Sequence, residues 1–88
     1  MRVRILSGYH QSNITKGTVG ELSKIYEEID EVKDADLQKC KLMVLQELSD
    51  TVGAISHYLD VHHPSISIYD LIEMSHITKR AFEHGDRK

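Results

Sequence analysis

An all-α fold is the expectation for this chain: a short bundle of about three helices whose core is completed by homo-oligomerisation. Three observations lead there. Apolar residues recur at helical spacing through three segments, about 19–33, 37–62 and 68–84, and no segment alternates strongly enough to compete as a strand. Break and cap residues separate those segments, at Asp34-Ala35-Asp36 and at His62-His63-Pro64. With 88 residues, the chain makes one small domain near the size where a single core is only marginally stabilising. A core shared between subunits, in a dimer or a tetramer, relieves that limit.

Residues 1–17 are polar and aperiodic and read as an arm or loop, with a short extended piece allowed by Val3, Ile5 and the turn near Gly8. Thr18-x-x-Glu21 has the capping-box pattern and opens the first helix, whose stripe is Leu22, Ile25, Tyr26, Ile29 and Val32. Asp34-Ala35-Asp36 offers both a break and a new N-cap. The second helix carries Leu37, Cys40, Val44, Leu48, Val52, Ile55 and Leu59 on one face, with Leu42, Met43, Leu45, Ala54 and Tyr58 spread around the rest. A helix apolar on most sides is a buried one, which makes it central and partly covered by a second subunit. Pro64 ends it, and Ser67-x-x-Asp70 caps the third helix, with Ile68, Leu71, Ile72, Met74, Ile77, Ala81 and Phe82 as its apolar set and Gly85 as the C′ residue.

The net charge of −3 argues against nucleic-acid binding through a basic surface. Charge is unevenly spread: residues 21–36 hold seven acids against two bases, whereas residues 79–88 hold four bases (Lys79, Arg80, Arg87, Lys88) against two acids. That pairing suits a polyphosphate ligand, and it equally fits a solvated acidic helix and a solvated basic end. Cys40 is the single cysteine, so no intrachain disulfide forms and a reducing compartment is the default. Within a helical pattern it reads as a small core residue rather than a nucleophile. No signal-peptide or membrane-span pattern is present, and a cytoplasmic location is expected.

The chemistry lies in two acidic clusters, Glu27-Glu28-x-x-Glu31 and Glu47-x-x-Asp50. Glu31 falls between Glu27 and Glu28 on a helical wheel, so the three share an arc of about 100°. Glu47 and Asp50 are one turn apart in the most apolar helix of the chain. Two such helices side by side would gather four or five carboxylates at one spot, which is costly in apolar company unless a cation sits among them. A hard divalent ion, Mg²⁺ with Mn²⁺ as substitute, is the natural occupant of an all-oxygen site. The competing reading is that these acids form exposed helix faces.

The two-part pattern, here Tyr26-Glu27-Glu28-Ile29-Asp30-Glu31 and Gln46-Glu47-Leu48-Ser49-Asp50, resembles that of the MazG-like all-α nucleoside triphosphate pyrophosphohydrolases, relatives of the dimeric dUTPases and of phosphoribosyl-ATP pyrophosphohydrolase. The tail from Ile77 to Lys88 is similar to tails of small members, and the resemblance covers residues 18–88. It implies Mg²⁺-dependent hydrolysis of a nucleoside triphosphate to the monophosphate and pyrophosphate. By matching motif positions, Glu28, Glu31, Glu47 and Asp50 would hold the metal and Glu27 would act beside it or as a base. Lys79, Arg80, Arg87 or Lys88 could neutralise the departing pyrophosphate. One departure is Ala54, where phosphoribosyl-ATP pyrophosphohydrolases commonly carry histidine, which argues against a role in histidine biosynthesis. His57 lies near the same helix face and could reach a base or phosphate; Tyr26, Tyr58 and Tyr69 could stack on a nucleobase. His62 and His63, adjacent at a helix end, lack the spacing of a closed zinc site. Against the enzyme stands a non-catalytic helical module for oligomerisation, nucleotide binding or regulation.

Overall fold

The computed structural model describes His10 and residues 12–85. The extended piece around Val3 and Ile5, and the basic residues Arg87 and Lys88, lie outside these residues. Those described form three helices, α1 (Leu22–Leu37), α2 (Lys41–His62) and α3 (Ile68–Glu83), with no strand among them. None is long and apolar enough to cross a membrane.

The third helix follows its sequence signals at both ends. Ser67 Oγ accepts the Asp70 N–H at 3.2 Å and Asp70 Oδ2 accepts the Ser67 N–H at 2.8 Å, so the box is closed. Gly85 takes a φ of 78° beyond the last turn, a conformation that costs glycine nothing.

The first helix departs from expectation at both ends. The Thr18–Glu21 box does not form: Glu21 is the N-cap without a side-chain bond, and its N–H donates to the Thr18 carbonyl at 3.0 Å. Thr18 instead donates its own N–H to Ser23 Oγ at 3.0 Å, so the helix starts at Leu22 rather than near 19. At the other end Asp34-Ala35-Asp36 does not break the chain. Asp34 and Ala35 are buried inside α1, which continues to Leu37. The break falls at Gln38-Lys39-Cys40, where the Lys39 N–H bonds the Asp36 carbonyl at 2.9 Å and the Cys40 N–H reaches the Ala35 carbonyl at 3.3 Å. This is a Schellman motif with Lys39, at φ 59°, where glycine is usual. In consequence α2 begins at Lys41, and Cys40 is its half-buried N-cap rather than a residue within the helix.

The short link makes α1 and α2 an antiparallel hairpin. The start of α1 meets the end of α2, with Glu21 Oε1 3.7 Å from His62 Nε2 and the Gly20 backbone against Val61. Contacts between α1 and α2 dominate the packing, and α3 touches α2 over a short stretch only. Every helix keeps an open face, since large apolar side chains are exposed on all three.

Which face is open reverses the usual order. In α1 the expected stripe residues Leu22, Tyr26 and Ile29 are exposed and Ile25 and Val32 half-buried, whereas Glu27, Glu28, Asp34 and Ala35 are buried. In α2 Leu48 and Val52 of the expected face are exposed, as are Leu42 and Leu45; the buried positions are Met43, Glu47, Ala54 and Leu59. The hairpin thus turns its acids inward and much of its apolar surface outward.

Candidate functional site

The inward stripes of α1 and α2 place every expected acid in one region. Glu27, Glu28 and Glu31 offer carboxylate oxygens within 4.8 Å of one another, as do Glu28, Glu47 and Asp50. Glu27, Glu28 and Glu47 are only 3%, 6% and 7% exposed, so the solvated-face alternative does not describe them. Asp50 stands at the exposed rim, where Gln46 Nε2 donates to it at 3.1 Å. Buried carboxylates require partners, and the structure supplies them from two directions.

At one end Lys24 sits 3.2 Å from Glu27 Oε1 and 3.1 Å from Glu28 Oε2, and Lys16 adds a longer contact of 3.6 Å to Glu27. Glu27 Oε1 also accepts the Gly17 N–H at 2.8 Å. That backbone bond, with Lys24, outweighs burial and holds the Glu27 carboxyl below its ordinary range. The bonds to Glu28 and Glu27 in turn raise the Lys24 ammonium. Only glycine fits at position 17, because a Cβ there would run into the Ser23 carbonyl and the Lys24 N–H.

At the other end the arm delivers His10. Its Nε2 lies 3.3 Å from Glu31 Oε1 and 3.2 Å from Glu47 Oε2, and its Nδ1 lies 3.0 Å from Asp34 Oδ2. Asp34 is fixed in turn by the Ser12 N–H at 2.9 Å, the Ser12 hydroxyl at 2.6 Å and Gln38 Nε2 at 3.0 Å. Burial works against the imidazolium, but the bond to Asp34 and the charges of Glu31 and Glu47 prevail and raise His10 above its ordinary 6.5. Glu31 moves furthest. Burial, a hydrogen bond with Glu47 and the nearby Glu28 and Glu47 charges push its carboxyl up to about 7. Even so, Glu28 Oε1 and Glu47 Oε1 remain buried with no hydrogen-bond partner among the described residues.

Beside the acids an open groove of about 300 Å³ is lined by Val19, Lys24, Glu28, Asp50, Ala54 and His57, among others. His57 therefore does share the groove with the acids. Lys79 and Arg80 do not line it. Both are exposed on α3, Lys79 beside a groove with Leu71, Met74 and Phe82 and Arg80 beside one with Glu73, His76 and Ile77. Tyr26 and Tyr69 are exposed, and Tyr58 packs its ring on His62 with centroids 4.4 Å apart.

Four contributors were not singled out from the sequence. Asp34 had a readable signal, since Glu27, Glu31 and Asp34 follow 4-3 spacing on one helix face. Lys24 had one too, three and four residues before Glu27 and Glu28. Gly17 and His10 had none, because the arm has no periodicity and His10 meets α1 across a separation of 24 residues. Comparison with protein-family models, with curated proteins and with solved structures finds no match to this chain.

Proposed function

We propose that the chain is a Mg²⁺-dependent nucleoside triphosphate pyrophosphohydrolase that works as a homo-oligomer. The observation that carries this reading is the pair of buried, unpartnered carboxylate oxygens, Glu28 Oε1 and Glu47 Oε1, in clusters that also hold Glu31 and Asp50. Unpaired buried acid is destabilising by itself, and a divalent cation answers the cost. Mg²⁺ bonds of 2.0–2.1 Å place donors about 3–4 Å apart, and Glu28, Glu47 and Asp50 offer oxygens within 4.8 Å of one another. Glu28, Glu31, Glu47 and Asp50 would hold the ion, with Mn²⁺ as a substitute. When bound, it would neutralise charge on the substrate phosphates and lower the pKa of coordinated water.

The chain's own residues supply the rest. Glu27, its charge secured by Gly17 and Lys24, is an ionised carboxylate beside the cluster and suits a water-orienting or base role. Lys24 lines the groove and becomes available to a phosphate once a cation takes over Glu28. His57 and the floor at Ala54 leave room for a sugar or base. For Lys79 and Arg80 to reach a pyrophosphate, α3 of a neighbouring subunit would have to lie over the groove. The outward Leu22, Tyr26, Ile29, Leu45, Leu48 and Val52 support an oligomer: covering these half-exposed side chains is worth roughly 5–10 kcal/mol, comparable to the whole stability of a small domain.

The test is incubation with Mg²⁺ and a panel of ribo- and deoxynucleoside triphosphates, with chromatographic separation of products. Monophosphate and pyrophosphate from some members is the expected result. No product from any, with folded protein and metal present, would favour the non-catalytic module.

A further inference from the structure

His10 stands outside the acidic motifs, and its placement has the form of a metal ligand rather than of a simple counter-ion. Metal-bound histidines almost always engage their second ring nitrogen with a carboxylate or carbonyl, which fixes tautomer and orientation. Asp34 does this here: it is 3% exposed, lies 3.0 Å from His10 Nδ1, and is itself held by Ser12 and Gln38. A carboxylate so placed leaves Nε2 to point between Glu31 on α1 and Glu47 on α2. The distances from Nε2, 3.3 Å to Glu31 Oε1 and 3.2 Å to Glu47 Oε2, match the separation of adjacent donors, about 3.0–3.4 Å, around an ion with bonds near 2.0–2.2 Å. An imidazolium would account for these two contacts. It would not account for Glu47 Oε1, which is buried without a hydrogen-bond partner among the described residues, in a residue 7% exposed.

We propose that His10 Nε2, Glu31 and Glu47 form a mixed nitrogen–oxygen site for a divalent transition ion, Zn²⁺ by preference and Mn²⁺ as a reporter, with Asp34 orienting the ring. Imidazole is a donor for which such ions compete far better than Mg²⁺. The site shares Glu31 and Glu47 with the all-oxygen cluster, yet it does not depend on hydrolysis, because the donor set stands whether or not a nucleotide is cleaved. It also gives the arm a structural purpose: an ion at His10 would clamp residues 10 and 12–20 across the mouth of the hairpin.

Mn²⁺ is the probe, followed by electron paramagnetic resonance for affinity and by spin-echo modulation for nitrogen coupling. Wild-type protein is expected to show ¹⁴N coupling from one imidazole. His10→Ala should remove that coupling and weaken Zn²⁺ binding by at least about tenfold, while Mg²⁺ affinity changes by less than about threefold. His10→Gln, which retains a hydrogen bond donor toward Asp34 but has no imidazole, should lose the coupling in the same way with helicity unchanged. Asp34→Asn should keep the coupling and weaken the ion by about 10–100-fold. Absence of ¹⁴N coupling in the wild type, or coupling that persists in His10→Ala, would overturn the assignment. Because no nucleotide enters the assay, its failure is independent of any failure of the hydrolase reading.

Discussion

Glu31 Oε1 on α1 and Glu47 Oε2 on α2 face the same His10 Nε2 across the hairpin, at 3.3 Å and 3.2 Å, and burial together with the neighbouring acids raises the Glu31 carboxyl from 4.5 to about 7. A proton held on Glu31 eases the repulsion between the two acids in the metal-free protein, and a bound cation would displace it.

The first prediction is a pH dependence of the metal-free protein. A carboxyl with a folded pKa above its unfolded one binds its proton more tightly in the fold, so its contribution is present below 4.5 and lost as pH rises through about 7. His10 acts in the same sense, since its raised value means a contribution present below 6.5 and lost above it. Glu27, whose carboxyl is lowered, acts oppositely but only as pH falls below 4.5. Melting temperature without metal should therefore decline from about pH 5 to pH 8, and Glu31→Gln should flatten the decline. Saturating Mg²⁺ should raise the melting temperature most at pH 8. Calorimetry in buffers of different ionisation enthalpy should register about one proton released per ion near pH 6 and almost none at pH 9.

Asp50 allows the proposed catalysis to be separated from folding. It is exposed and among the described residues its side chain bonds only Gln46, so Asp50→Asn should change stability by no more than about 0.5 kcal/mol. Turnover should nevertheless fall by two orders of magnitude or more, on the order of 3 kcal/mol in the barrier. Helicity by circular dichroism and initial rates on one sample check both halves.

The arm should be dismantled by a single methyl group. Gly17→Ala drives a Cβ into the backbone at Ser23, and relief requires giving up the N–H bond to Glu27. A loss of about 1–3 kcal/mol is expected, with faster proteolysis of residues before 20, measured by denaturant titration and limited digestion. A substitution of the opposite sign is Lys39→Gly. Lys39 is exposed and sits in the left-handed region, where a side chain costs about 1 kcal/mol, so the variant should melt several degrees higher.

The outward apolar faces make the proposed oligomer directly testable. Ile29→Glu or Leu48→Glu places a charge among Leu22 and Tyr26, or beside Leu45 and Val52, without touching the buried acids. Sedimentation should show dissociation to monomer, and the concentration dependence of melting should disappear. Unchanged mass in both variants would mean that these faces are not the interface.

How far the sequence reveals this structure depends on which physical signal each feature leaves. The all-α class and α3 were legible because periodicity, the Ser67–Asp70 box and Gly85 agree with one another. The acids of the candidate site were legible as a set because their spacing alone puts them on two helix stripes. The end of α1 was not: Asp34 and Asp36 look like cap residues, and only the contacts of Asp34 with Ser12 and His10 explain why the helix runs past them. Nor was the direction of the faces. A stripe of acids and a stripe of leucines have the same 3.6-residue period, and periodicity does not say which turns inward. His10 left no trace because its role comes from tertiary placement of an aperiodic arm.

The most direct measurement of the central claim is product formation from nucleoside triphosphates by wild type and Asp50→Asn side by side, at pH 8 with Mg²⁺. The account predicts equimolar monophosphate and pyrophosphate from the wild type and almost none from the variant, with both proteins equally helical. Diphosphate and phosphate as products, equal rates in the two proteins, or no turnover at all would contradict it.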